Sequence, residues 1–166
     1  MSEPASADVT QPTSASGGPL SHAIFRVARL HKLVARQLLR EIGLYPGQEM
    51  VMMQLWDGGP QRQVDLIRMT DSDAATMTRT VRRLEKSGFV HLSPSHDDRR
   101  AVIVEATAAS RPMQHEVARI WNELESLTVG ELSPQVRADT LRNLEALESN
   151  LLKITGTSPE EASHQQ

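Results

Sequence analysis

The sequence predicts a mainly α fold with a small β-hairpin, and three observations predict it. Aromatic residues make up only 3% of the 166 residues while hydrophobic residues make up 39%, so the core must be built from aliphatic side chains, which favours packed helices. Apolar residues recur every three or four positions over most of the chain, as in amphipathic helices. Residues 89–92 and 101–106 are instead short β-branched and apolar runs around a polar loop, which predict the hairpin.

The chain begins with a polar segment and a first long helix. Residues 1–19 are rich in Ser, Thr, Ala, Pro and Gly, which predicts a disordered tail. A helix is predicted from Leu20 to Ile42, with Ser21 as its N-cap and Gly43 as its stop. Its apolar positions are Ile24, Val27, His31, Val34, Leu38 and Ile42. The opposite face is cationic. It is either a solvated surface or a surface whose cations contact an anionic effector or the flank of a DNA duplex.

The middle of the chain predicts three further helices. Pro46 and Gly47 open a helix over residues 48–58, and residues 63–69 form a short one. After a tight turn capped by Ser72 and Asp73, a third helix runs to Gly88. Its apolar face is formed by Met77, Val81 and Leu84. The residues left facing away from the core are Ala75, Thr76, Thr78, Arg79, Arg82 and Arg83.

Two helices joined by a tight turn and followed by a hairpin with a charged tip are typical of proteins that grip duplex DNA. The net charge of −3 obscures a local excess of positive charge. Residues 60–100 hold eight cations and six acids, whereas residues 101–166 hold five cations and ten acids. Phosphate binding requires a local basic face rather than a basic protein, so this distribution favours DNA binding by the middle of the chain.

The segment TMTRTVRRLEKSGFVHLSPSHDDRRAVIVEAT, residues 76–107, resembles the recognition helix and wing of the MarR family of transcription regulators. The resemblance extends over about residues 20–155. It implies a winged helix-turn-helix DNA-binding domain over residues 46–106 and a helical dimerisation region formed by residues 20–45 and 107–155. Residues 156–166 are predicted to be a flexible C-terminus.

The candidate DNA contacts are polar residues of the recognition helix and the wing: Thr76, Thr78, Arg79, Arg82, Arg83, Asp98, Arg99 and Arg100. Arginine matches the O6 and N7 acceptors of guanine, so Arg79 is the first candidate for a base contact, with Thr76 and Thr78 for bases or nearby phosphates. Arg82 and Arg83 lie further along the helix and are expected to meet phosphates. The alternative for each arginine is an ion pair with Glu85 or with another helix.

At the wing tip, carboxylates and arginines stand side by side in the sequence Asp97-Asp98-Arg99-Arg100. One aspartate can hold an arginine outward by a bidentate pair while the other arginine anchors the loop. The resemblance implies that a wing arginine enters the minor groove, where negative potential is concentrated, and it matches Asp98 and Arg99 to the family motif. Whether Arg99 or Arg100 inserts is left open.

The last third of the chain predicts two long amphipathic helices. Thr107 is a candidate cap of the first and Pro112 fits its first turn, while Ser133 and Pro134 start the second. The final helix carries a stripe close to a heptad repeat: Leu141, Leu144, Leu147, Leu151 and Ile154. A small domain has too few other helices to bury the apolar faces of both, so a second copy of the chain in a symmetric dimer is the simplest way to bury them. The resemblance likewise implies a homodimer through the terminal helices.

The resemblance also implies a cleft for a small, often anionic aromatic ligand whose binding releases DNA. In this sequence the cleft is expected between the first helix, the start of the second and the long helix after Thr107. Arg29 and Lys32 are candidates to meet a carboxylate, and Met52 and Trp56 to line an apolar wall. A plain core or surface role is the alternative for each.

Other classes of function are disfavoured. The chain has no cysteine, which excludes a disulfide scaffold, a zinc finger and a thiol switch, and its six histidines show no metal-ligand spacing, so no metal and no cofactor are predicted. There is no glycine-rich phosphate loop, and the adjacent Ser95-His96-Asp97 do not make a catalytic triad, so we predict no enzyme. No apolar run approaches the roughly 18 residues of a membrane span and no signal peptide begins the chain, so a cytoplasmic protein is predicted.

The hypothesis that fits these observations is a homodimeric, ligand-responsive repressor that binds a pseudo-palindromic double-stranded DNA operator. The alternative is a winged-helix module for protein–protein contact without a specific operator. A projecting Arg79 and an arginine-bearing wing favour the first, because protein docking does not require them.

Overall fold

The computed structural model describes residue 12 and residues 16–70, 72–98 and 100–155. The predicted disorder over residues 1–19 concerns mostly residues outside these ranges, and the predicted flexible end, residues 156–166, lies wholly outside them. The helices and strands, in order, are α1 (Pro19–Glu41), α2 (Gln48–Gly58), β1 (Gln61–Arg62), α3 (Gln63–Met69), α4 (Ala74–Lys86), β2 (Val90–Pro94), β3 (Val102–Ala106), a short 3-10 helix (Ala108–Ser110), α5 (Arg111–Val129) and α6 (Pro134–Thr155).

Helix α1 begins two residues before the predicted cap. Gly18 is the N-cap residue, Pro19 opens the helix, and no side chain caps it, so the prediction of Ser21 as N-cap is wrong. The physical reason is that proline has its φ angle fixed near the helical value and has no N–H group to satisfy in the first turn. At the other end, Gly43 adopts a φ of +74°, which ends the helix as predicted.

The wing contains one strand more than the predicted hairpin. Strands β2 and β3 pair antiparallel, with Leu92 opposite Val104, and β1 pairs on the other side of β3, giving the order β1-β3-β2. Strand β1 has only two residues, Gln61 and Arg62, too few to show an alternating pattern in the sequence. Its pairing fixes the start of α3 against the base of the wing.

The core lies where α2, α4, α5 and the second half of α1 meet the sheet. The buried apolar side chains are Leu38, Leu39, Leu44, Val51, Met52, Leu55, Leu66, Met77, Val81, Leu84, Val90, Val104, Val117, Ile120 and Leu124. The predicted stripe of α1 therefore divides into two parts. Its second half is buried through Leu38, whereas Ile24 and Val27 in its first half are exposed.

A partly buried hydrogen bond joins α2 to the segment that leads into α5. The indole Nε1–H of Trp56 donates to the hydroxyl of Ser110 at 2.9 Å, and that hydroxyl donates to the carbonyl oxygen of Thr107 at 2.8 Å. The side chain of Thr107 does not cap a helix, contrary to the prediction, because its hydroxyl donates to the carbonyl oxygen of Gly88 at 2.6 Å. These bonds tie α2 and the turn after α4 to the segment that leads into α5.

Replacing Ser110 by alanine is expected to lower the free energy of unfolding by about 1 kcal/mol, because the buried indole N–H of Trp56 loses its acceptor. The exposed Ser126, whose hydroxyl donates to its own helix at 2.9 Å, provides the control. Ser126→Ala is expected to change the free energy of unfolding by less than about 0.5 kcal/mol. Urea denaturation of both variants measures this, and equal effects would contradict a structural role for the Trp56–Ser110 bond.

Candidate nucleic-acid interface and the adjoining cavity

The start of α4 carries a chain of hydrogen bonds that leads to Arg79. As predicted, Asp73 caps the helix: its Oδ1 accepts the N–H of Thr76 at 2.8 Å, and its Oδ2 accepts the hydroxyl of Thr76 at 2.6 Å. The hydroxyl of Thr76, with its backbone N–H, holds the pKa of Asp73 below its ordinary value. Thr76 Oγ1 in turn accepts Nη2 of Arg79 at 3.1 Å. The exposed guanidinium of Arg79 is thus oriented by a carboxylate through one hydroxyl.

Thr78 joins the two helices of the helix-turn-helix. Its hydroxyl donates to the carbonyl oxygen of Ala74 at 2.8 Å and accepts the side-chain amide of Gln63 at 2.9 Å. Gln63 is the first residue of α3 and Thr78 lies in the first half of α4, so this bond fixes the angle between the helices. The hydroxyl of Thr78 is therefore engaged within the protein.

The remaining arginines of α4 are exposed. The guanidinium carbon of Arg83 lies 5.9 Å from the centre of the Tyr45 ring, a cation–π contact that turns Arg83 toward the loop between α1 and α2. Within the described ranges, none of Arg79, Arg82 and Arg83 forms an ion pair with a carboxylate. The alternative in which Glu85 holds these arginines is thus not seen, and their charges face outward.

In the wing, Asp98 shapes the turn through the backbone. Its Oδ1 accepts the backbone N–H of Arg100 at 2.9 Å, and its carbonyl oxygen accepts the N–H of Ala101 at 2.9 Å. No pair between Asp98 and the guanidinium of Arg100 is present in this part of the wing, so the hypothesis of a bidentate pair is not seen for these two residues. Arg100 is exposed, and Arg99 lies outside the described residues. Strand β2 packs against α4, so the wing and α4 are in direct contact.

A cavity of about 510 Å³ adjoins this surface on the inner side of α4. It lies where the sequence places the cleft, between α1, the start of α2 and α5, and α4 adds a fourth wall. The lining residues that matter for its chemistry are His31, Lys32, Arg36, Glu49, Met50, Thr76, Met77, Thr80, Ile120, Trp121 and Leu124. Thr76 belongs both to this lining and to the hydrogen-bond chain that orients Arg79.

Of the four predicted effector contacts, only Lys32 lines the cavity. Arg29 is exposed elsewhere on α1. Met52 has 0% of its surface exposed and belongs to the core, so its predicted place in the cavity wall is wrong. Trp56 is held by its bond to Ser110 and does not reach the cavity either. The rotation of α2 explains both errors, because it is Glu49 and Met50 that this helix turns toward the cavity.

Glu49 is the one acid of the described cavity lining, and its role was not predicted from the sequence. Only 8% of its surface is exposed, and its Oε2 is buried with no hydrogen-bond partner in the described part of the chain. Burial raises the pKa of Glu49 to about 6, partly offset by the backbone N–H groups of Glu49 and Gly47. An acidic residue in the first turn of a helix is ordinarily a solvated group that favours the helix dipole, so no local signal distinguished this one.

Two further features of the described residues bear on function. In these ranges, no group of three or more His, Asp or Glu side chains is arranged to hold a metal ion. No helix in the same ranges has both the length and the apolar character needed to cross a membrane.

Comparison with known proteins agrees with this geometry. The model of the MarR family matches residues 44–102, which cover α2 to the start of β3. The HTH-type transcriptional repressor NicR of Pseudomonas putida is 30% identical over 122 residues, which are 74% of this chain and 77% of NicR.

Two solved structures are similar over most of their length. BpsR of Bordetella bronchiseptica, whose DNA binding is regulated by 6-hydroxynicotinic acid, superposes with a TM-score of 0.71 at 25% identity and covers 80% of this chain and 95% of its own. Reduced AbfR bound to DNA gives a TM-score of 0.66 at 25% identity, over 82% of this chain and 92% of its own.

Glu49→Gln is expected to stabilise the fold at neutral pH. Since the pKa of Glu49 is raised from 4.5 to about 6, its contribution to stability is complete below pH 4.5 and is lost as the pH rises through 6. The loss amounts to about 2 kcal/mol. Urea denaturation should therefore show a variant more stable than the wild type at pH 7.5 and an advantage that shrinks toward pH 4.5. The exposed Glu105 gives the control variant Glu105→Gln, and a pH-independent difference for Glu49→Gln would contradict the assignment.

Proposed function

The chain belongs to the MarR family of transcription regulators, and we propose that it is a homodimeric repressor that a small ligand releases from a pseudo-palindromic operator. The family and the relatives are regulators, so the prediction that the chain is not an enzyme is confirmed. One observation carries the proposal: the chain of hydrogen bonds Asp73–Thr76–Arg79 presents an oriented guanidinium at the exposed start of the recognition helix. An arginine held in this way loses little entropy on binding a base.

The proposed roles on DNA follow from where each group lies. Arg79 reads a guanine in the major groove, with Thr76 as its support. Arg82 and Arg83 contact phosphates, and Thr78 acts indirectly by fixing α4 against α3. The DNA-bound structure of AbfR supports this use of the fold.

In the wing, Arg99 and Arg100 are the proposed minor-groove residues. Asp98 sets the loop that carries them, because its carboxylate holds the backbone N–H of Arg100. A narrow minor groove attracts a guanidinium more strongly than it attracts a flexible ammonium group, which fits two adjacent arginines at a shaped turn.

The proposed homodimer is supported by apolar surface on two helices. Phe25 in α1 is 66% exposed and Ile154 at the end of α6 is 83% exposed. The leucines of α6 line an open groove that also includes Ile24 of α1. Exposed apolar side chains in such number are typical of a protein interface. The helical region of residues 20–45 and 107–155 is therefore the proposed dimerisation region, and residues 46–106 remain the proposed DNA-binding domain.

The proposed ligand response uses the cavity behind α4. A ligand there touches α4 through Thr76 and Thr80 and touches α5 through Trp121, so it can favour one spacing of the two recognition helices over another. The regulation of BpsR by 6-hydroxynicotinic acid supports a small aromatic effector. On the α1 side, Lys32 and Arg36 line the cavity and are the proposed contacts of an anionic group. Trp121 replaces Met52 and Trp56 as the proposed apolar wall.

Arg79→Ala is expected to weaken operator binding by at least about tenfold, because a bidentate arginine–guanine contact is lost in both halves of the operator. A gel-shift titration on the DNA that flanks the gene, with competitor DNA and a salt series, measures this. Arg119→Ala is the matched control, since Arg119 is an exposed arginine that bonds to Glu116 at 3.2 Å and Glu123 at 3.1 Å on α5, away from the proposed surface.

The Arg79→Ala variant distinguishes a specific regulator from a protein-contact module. Equal binding by wild type and Arg79→Ala, with a steep fall of affinity as salt rises, would indicate phosphate attraction alone and favour the protein-contact module. Arg82→Ala is expected to weaken binding similarly on all sequences and to reduce the salt slope.

Leu144→Asp is expected to convert the protein from a dimer to a chain of 18.4 kDa, because a charge is placed in the apolar stripe of α6. Ser149 is exposed on the opposite face of the same helix, so Ser149→Asp serves as the control and should remain dimeric. Sedimentation velocity distinguishes the two masses. A Leu144→Asp variant that remains a dimer would contradict the proposed interface.

A further inference from the structure

The carboxyl group of Glu49 is the polar feature of the cavity that the proposed function does not use. Glu49 lies in the first turn of α2, is 8% exposed and belongs to the cavity lining, and its Oε2 is buried without a hydrogen-bond partner among the described residues. A buried acceptor without a donor is unfavourable by an amount similar to a lost hydrogen bond, and more if it is ionised. Such an acceptor in a cavity lining can be satisfied by a ligand that brings a hydrogen-bond donor.

The charges around Glu49 are distributed unevenly. On the α1 wall, the titratable or charged lining residues are His31, Lys32 and Arg36. The α4 wall offers neutral hydroxyl groups, and the α5 wall is formed by Ile120, Trp121 and Leu124. Among the described lining residues Glu49 is the one acid, and it forms no ion pair with the cations of α1 in those ranges. The cavity therefore has a basic side on α1 and a separate acidic point on α2.

We infer that Glu49 makes this cavity selective for planar, ring-sized ligands that present an N–H donor, cationic or neutral, to the start of α2. The inference rests on the proposed ligand response and specifies its chemistry. Trp121 and Ile120 provide the apolar surface for the ring, and an anionic substituent, where the ligand has one, lies toward Lys32 and Arg36. A carboxylate directed at Glu49 is disfavoured, because it meets a like charge in a poorly solvated place.

The protonation of Glu49 makes the preference pH-dependent in a defined direction. Its pKa of about 6 means that the carboxyl is mostly ionised at pH 7.5 and mostly protonated at pH 5. A ligand that donates an N–H binds the ionised form better, so its affinity rises with pH over this range. A ligand carboxylate directed at Glu49 shows the opposite trend. Because His31 faces the same cavity, the pH series is repeated in a His31→Gln variant, in which the Glu49 effect must persist.

Isothermal titration calorimetry with benzamidine, benzamide and benzoate tests the inference, because these share one planar ring and differ in charge and N–H donors. At pH 7.5 the ratio of benzamidine affinity to benzoate affinity is expected to fall at least about tenfold in Glu49→Gln, since a charge-assisted hydrogen bond is lost. Benzamide should change less, because glutamine keeps an acceptor oxygen. Glu105 is exposed and lies outside the cavity, so the control variant Glu105→Gln should bind the three compounds as the wild type does.

The outcomes separate the inference from the proposed function. An affinity ratio that is the same in wild type and Glu49→Gln, or the absence of binding by all three compounds, overturns the inference. Each compound is also added to the protein–operator complex in a gel shift. Release of DNA by benzoate, together with a benzamidine-to-benzoate affinity ratio that Glu49→Gln does not change, overturns the inference and leaves the ligand response intact. Glu49-dependent binding of benzamidine without release of DNA supports the inference and refutes the ligand response at this cavity.

Discussion

The burial of one face of α4 is the constraint on which the proposed DNA-binding surface depends. Met77, Val81 and Leu84 are each 1% exposed and lock the helix into the core, so its opposite face has a fixed direction. Arg79 and Arg82 are exposed because of that rotation. Without the apolar anchor, an arginine-rich helix of 13 residues would be marginal in water and its side chains would have no common orientation.

The same helix also forms a wall of the cavity, so the proposed ligand site and the proposed DNA-binding surface share one element. Thr76 lines the cavity and accepts a hydrogen bond from Arg79. A ligand group bound to Thr76 would therefore be separated from the proposed base-reading arginine by a single residue. The bonds from Trp56 to Ser110 and from Thr107 to Gly88 connect residues 46–106 to the segment that leads into α5. These are the contacts through which the proposed ligand response would act on the proposed DNA-binding domain.

Much of the fold follows from local patterns. The apolar spacing of α4, the cap at Asp73, the left-handed glycines Gly43 and Gly88, and the β-branched strands of the wing were all apparent in the sequence, because each depends on residues only a few positions apart. Two local predictions failed. Thr107 donates its hydroxyl to a residue distant in the sequence, and Ser21 is preceded by a proline that starts the helix earlier.

The sequence by itself therefore determined the helix-turn-helix, the wing, the family and the arginines of the exposed surface. Only the tertiary structure decided the chemistry of the cavity, because walls from four helices meet there and small differences in helix rotation choose which side chain faces inward. The rotation of α2 sends Met52 into the core and turns Glu49 into the cavity, and no pattern within α2 distinguishes these residues. The raised pKa of Glu49 also depends on the tertiary structure, because the residues that exclude water from its carboxyl group come together only on folding.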